Sequence, residues 1–211
     1  MTFTQLQAEV RARLDEATAN FYSDQDVKDA LNEAYQEMAD ESEWYERNAT
    51  IALTANAVYY DLSSASILTD EFLSLRWCYN TQTTRWLEPS SVYDLDRQYR
   101  AWENTTGAPD YFFMRGLWNV GLYPKPAATS GTVRLYYSAV PAALSAGGDT
   151  PSFHQEFHLG LVEYALYDLY GQDAETKEAL RHWQQYRGYA DGLRAWVQGR
   201  ISRPRLESMK G

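Results

Sequence analysis

At 211 residues, 45% hydrophobic, 15% aromatic and 23% charged, the chain has a globular composition and enough length to bury a sizeable core. No apolar run approaches the roughly 18 residues of a membrane span, and Met1-Thr2-Phe3-Thr4-Gln5 lacks the basic and apolar regions of a signal peptide. The formal charge is −10, spread so that it argues against broad, tight nucleic-acid binding by the front of the chain, and a single cysteine, Cys78, excludes an internal disulfide, as expected of a chain folded in a reducing cytoplasm.

That charge is unevenly spread. Residues 1–46 hold twelve acids against three bases, whereas residues 173–211 hold five acids against eight bases. A front of this kind repels nucleic acid or takes a basic partner, and the tail suits an acidic one.

The pattern predicts a first helix from Thr2 to about Glu16. Thr2 and Gln5 have capping-box spacing, and Phe3, Leu6, Val10 and Leu14 share a face. Ser23-Asp24-Gln25-Asp26 opens a second helix, with Val27, Ala30, Leu31, Ala34, Tyr35 and Met38 as its buried stripe. Asp26, Asp29, Glu33, Glu37 and Asp40 fall on or beside the opposite face.

From Arg47 the period changes to two. Thr50–Leu53 and Val58–Leu62 read as strands joined around 54–57, and Phe72–Tyr79 with Thr84–Leu87 reads as a hairpin turning at 80–83. A short helix follows near 90–102, with Val92, Leu95, Tyr99 and Trp102 as its apolar face. The runs Tyr111–Arg115, Leu117–Tyr123 and Thr132–Val140 then predict consecutive antiparallel strands. Gly116 suits the first turn because glycine takes positive φ, and Pro124 and Pro126 stop the second strand for want of amide donors.

Helical periodicity returns after Pro151. One helix is expected over about Phe153–Tyr170, and another begins at Gln172-Asp173 with Ala179, Leu180, Trp183, Tyr186, Ala190, Leu193 and Val197 on its apolar side. Ile201–Gly211 contains Pro204 and has no period, which predicts a flexible tail. The expected class is α+β: a helical bundle from N- and C-terminal arms with an inserted antiparallel β subdomain. Residues 1–199 would form one domain, helical over 1–46 and 152–199 with β structure over about 47–141, and residues 200–211 the tail.

Signals for chemistry are thin. His154 and His158 stand at i and i+4, but Gln155 occupies the position where a zinc protease needs its general-base glutamate. The chain has no G-x-S-x-G elbow and no phosphate-cradling glycine motif, so no enzyme activity, cofactor or metal is expected. Seven tryptophans would suit a sugar-binding platform if exposed in a row; the same residues in a core or a subunit interface need no ligand.

The order of segments resembles the head-to-tail adaptor proteins of tailed bacteriophages. Tyr22-Ser23-Asp24 leading into Leu31-Asn32-Glu33-Ala34, Gly107-Ala108-Pro109-Asp110-Tyr111, Leu122-Tyr123-Pro124-Lys125-Pro126, Arg134-Leu135-Tyr136-Tyr137 leading to Pro141, and Pro151 with His154, Leu161, Val162, Tyr164 and Ala165 carry it. The resemblance implies a structural protein of the virion neck, made in the host cytoplasm. It implies a ring, usually of twelve subunits, beneath the portal, with a stopper or tail-tube protein on the other side. Genome DNA would pass without specific binding, past the acidic face of Asp26, Asp29, Glu33, Glu37 and Asp40. The tail residues Arg200, Ile201, Arg203, Arg205, Leu206 and Lys210 would anchor the ring on the portal. Alternatives are another neck or tail-completion protein, or a carbohydrate-binding module of a tail fibre or cell-wall enzyme.

Overall fold

A computed structural model describes residues 1–208 apart from 17, 20, 64–67, 69–70 and 174, with side chains described as far as Arg200. It is a mixed α+β structure that divides into two compact units, one made of residues 1–45 and 140–211 and the other of residues 46–139.

The first unit contains four helices. Helix α1, Phe3–Arg13, starts at Thr2, whose hydroxyl accepts from the Gln5 amide while Gln5 reaches back to the Thr2 amide. Helix α2, Asp24–Ser42, repeats the device with Ser23 and Asp26. Both reciprocal caps satisfy amide donors that a helix start otherwise leaves unpaired. The next α-helix of this unit is His158–Gln172, led in by a 3₁₀ turn over Gln155–Phe157, and the last is Thr176–Ser208. Because one short helix of the other unit intervenes in the chain, these two are numbered α4 and α5.

The predicted stripe of α2 is buried throughout, and its neighbours in the core include Phe3, Leu6, Val10, Leu161, Leu166, Tyr186 and Leu193. Helix α4 is buried along most of its length, packed against α1, α2 and α5. Close approach there depends on Gly160: a Cβ at that position would lie 2.6 Å from Met38 Cε and 2.8 Å from Tyr189 Cβ.

The second unit holds the strands. Strands β1 (Glu46–Ala52), β10 (Thr132–Val140), β3 (Glu71–Asn80) and β4 (Arg85–Trp86) lie side by side in that order in one sheet. In the other the order is β2 (Tyr59–Asp61), β8 (Asn119–Tyr123), β7 (Tyr111–Arg115) and β5 (Glu88–Pro89). Short strands β6 (Thr106–Gly107) and β9 (Lys125–Pro126) pair in parallel, as do β5 and β7. Helix α3, Val92–Gln98, is capped by the Ser91 hydroxyl, and a 3₁₀ turn follows at Trp102–Asn104.

The β3–β4 hairpin and the β7–β8 hairpin fall where expected, the latter turning through Gly116 at φ 68°. One expectation changes: β10 does not extend the β7–β8 hairpin. Instead β1 pairs antiparallel with β10 from Glu46↔Ser138 to Ala52↔Thr132, and β2 pairs with β8 from Tyr59↔Gly121 to Asp61↔Asn119. The cause is burial in register: Ala49 and Ile51 of β1 stand opposite Leu135 and Val133, all four inside. On the short helix, Leu95 and Trp102 are buried with Phe113 and Tyr123, but Tyr99 is exposed.

The tail expectation also changes. Helix α5 continues through Pro204 to Ser208. A proline inside a running helix removes one amide donor, and the flanking Arg205, Leu206 and Glu207 favour helix. Lys210 lies outside the described residues, as do the side chains of Ile201, Arg203, Arg205 and Leu206.

Candidate functional site

The five acids of α2 form a face, but they are not equivalent. Asp26 closes the helix cap, and two hydrogen bonds from Ser23, side chain and backbone, hold its carboxyl below the usual range. Asp29 is exposed and accepts from Gln25 Nε2 at 2.7 Å. Glu33 accepts the Tyr164 hydroxyl at 3.0 Å, which ties α2 to α4. Asp40 is exposed.

Glu37 is half-buried. Burial pushes its carboxyl above the ordinary glutamate range, and Glu41, Asp40 and Glu33 add to the shift against the opposing pull of Arg187. Asp168 of α4 is raised as well, first by burial and then by Glu33. Arg187 of α5 donates to Glu41 and, more loosely, to Asp191 at 3.5 Å. The arrangement is an acidic ridge across α2 and α4 with one partly compensating arginine. Glu41 and Asp168 escaped the sequence reading. Glu41 follows Glu37 by four residues, a spacing that would have found it; Asp168 joins from another helix and carries no such signal.

A second polar group is interior. Glu163 of α4, 3% exposed, takes the Arg13 guanidinium of α1 and stands 2.7 Å from His182 Nδ1 of α5. Arg181 donates to His182 Nε2 at 3.3 Å, so the ring's proton on Nδ1 faces the carboxylate. With its amide turned to donate, Gln185 lies 2.8 and 3.1 Å from the two Glu163 oxygens. Tyr170 stacks on the His182 ring. This cluster ties three helices, α1, α4 and α5, to one another.

His154 and His158 do not converge on one point. His154 Nδ1 accepts the Glu156 amide at the 3₁₀ turn, and its ring lies against Trp196. His158 is buried, with Nε2 on the Phe153 carbonyl at 3.1 Å and Nδ1 2.7 Å from the Met1 amine. Among the described residues no group of three or more His, Cys, Asp or Glu side chains is placed to hold a metal ion. Nor is any described helix long and apolar enough to cross a membrane.

The tryptophans are dispersed. Trp102 is buried, Trp44, Trp183 and Trp196 pack against the helical core, and Trp86 and Trp118 are exposed at separate places in the β unit. At the C-terminal segment, the Arg200 guanidinium lies 3.9 Å over the Trp196 ring, a cation–π contact within α5.

A family model described as SU10 adaptor protein matches residues 1–206. No curated protein matches the chain. The whole-length match and the order of elements agree, and the chain belongs to the SU10 adaptor family, structural head-to-tail adaptors of tailed bacteriophages.

Proposed function

We propose that the protein forms a ring of about twelve subunits beneath the portal of the virion, prolongs the DNA channel and offers its far side to a stopper or tail-tube protein. The observation that carries this reading is the match to a phage adaptor family over residues 1–206. In this reading the terminal arms form a helical bundle with the β unit inserted as a subdomain, and each part has a separate duty in the ring.

Genome DNA slides through the bore, and an acidic wall repels phosphate. The exposed carboxylates Asp29, Glu33 and Asp40, with half-buried Glu37 and the capping Asp26, are the face we assign to that wall. The basic run from Arg200 to Lys210 anchors each subunit on the portal, where identical contacts repeated around the ring multiply a modest affinity. The extension of α5 to Ser208 supports a helical rather than an extended anchor.

A reconstruction of the particle neck tests the whole reading. It should show the chain as a closed ring in contact with the portal, residues 200–210 on the portal side, and the α2 carboxylates toward the bore. A chain found only in tail fibres, or missing from virions, would reject the adaptor role. Carboxylates on the outer rim would reject the channel assignment alone.

A further inference from the structure

We infer that the outward face of the β1-β10-β3-β4 sheet is the surface on which a second copy of this chain docks, bringing its acidic helical unit against an arginine-bearing aromatic ridge. The inference rests on the ring of the proposed function and names the contact that closes it.

The ridge is built from three strands. Tyr79 of β3 stands opposite Trp86 of β4 in the register, with ring centroids 5.1 Å apart, and Trp86 meets Tyr136 of β10 at 5.4 Å. Trp86 is 55% exposed on an edge strand of two residues. Arg134, two residues before Tyr136, shares its side of the strand, stands opposite exposed Thr50, and makes no ion pair among the described residues. The rings meet at 64° and 46°, so they form a ridge and not the coplanar shelf on which a sugar ring stacks. Trp, Tyr and Arg are the residue types that dominate binding energy at protein interfaces.

Charge selects the occupant. Each subunit carries −10, so copies brought together repel unless the contact sets unlike charges against each other. On the outward side stand Arg134, Arg76 and Glu46, and Glu46 already faces Arg76 at 3.9 Å, so Arg134 is the charge this face offers a partner. Residues 1–45 and 140–211, the helical unit, carry twenty acids and eleven bases. One chain therefore bears both halves of a complementary pair on separate units. A neighbour supplies the missing half to each, and a head-to-tail contact of this kind closes into a ring.

Light scattering on the purified full chain, alone and bound to portal-bearing heads, tests this. Trp86→Ala and Arg134→Gln should keep the wild-type circular dichroism, since both side chains are exposed. Each should weaken self-association at least tenfold, and added salt should weaken the wild type in the same direction. If both folded variants assemble like the wild type, the sheet face is not the subunit contact. If they form normal rings but fail to seat on portal or take up the tail, the face belongs to another neck protein and the second-copy assignment is overturned. If the wild type itself forms no ring alone or on heads, the ring reading falls first and this inference falls with it.

Discussion

Gly121 stands directly opposite Phe113 across β8 and β7, and the Phe113 ring lies over it where a Cβ would be. A methyl group there meets the ring of a residue buried at 2% exposure, so the ring must move out of a packed cluster with Leu95, Trp102 and Tyr123. Gly121→Ala should cost about 1–3 kcal/mol in thermal or denaturant unfolding. Phe113→Leu should be less damaging in the Gly121→Ala background than alone, because the two changes share one space. Glu37 offers a test of opposite sign. Its carboxyl is raised in the folded chain, so the fold binds its proton more tightly than the unfolded chain does. Stability from this group is therefore present below the unfolded value and is lost as pH rises through the folded one. Glu37→Gln should leave stability unchanged near pH 4 and raise the melting temperature at pH 7 by about 1 °C, a shift of the size usual for surface charges. A fall at pH 7 would show that Arg187 outweighs the neighbouring carboxylates.

At the scale of elements, Glu163 of α4 is the fixed point of the helical unit, since α1 and α5 each bring polar side chains to it. Glu163→Ala leaves Arg13 and His182 without their shared acceptor and should destabilise by about 3 kcal/mol or more in chemical unfolding. A loss below about 1 kcal/mol would mean that solvent already reaches the group. This junction was not legible in the sequence, because residues 13, 163 and 182 share no spacing and meet only once three helices pack. The caps at Thr2 and Ser23 and the buried stripe of α2 were legible, because each is set by residues within a turn or two of one another. The strands sat midway. Their positions followed from local period and turn residues, yet their partners did not: β1 pairs with a strand some eighty residues later, and nothing within β1 says so. Helix α5 outran the expected tail for a related reason. Pro204 is a strong local stop signal, but extending an existing helix needs no new nucleus, so one lost hydrogen bond does not end it. On the candidate face, the spacing of Asp26, Asp29, Glu33, Glu37 and Asp40 predicted one side of a helix. It did not predict that a tyrosine from another helix already engages Glu33.

For the whole molecule, that division of labour sharpens the channel test. Replacing Glu33 with lysine also breaks its bond with Tyr164, so a loss of function there mixes fold and charge. Asp29 and Asp40 are exposed, and changing them leaves the links between helices intact. Asp29→Lys with Asp40→Lys should keep the folded chain, since lysine is a good helix former. Repeated around a ring it should reverse the sign of a narrow bore, making DNA adhere and slowing genome ejection, most at low salt, where screening reaches over roughly 8–10 Å or more. Ejection at the normal rate from particles carrying this variant would place these residues away from the DNA.

The helical unit is discontinuous: its core is assembled from residues 1–45 and 140–211, and its central helix α4 lies in the later piece. On the ribosome, α1 and α2 emerge with only each other to pack on, and lack α4 and α5 until more than a hundred further residues have been made. Sheet β1-β10-β3-β4 is delayed in the same way, because β10 comes last of its strands. The helical core therefore closes only after its far helices have been made, through long loop closures, which are slow. Stalled chains ending at residue 150 should be cut by protease throughout residues 1–45, whereas chains released at full length should resist; early protection of α1 and α2 would show that they find an interim partner.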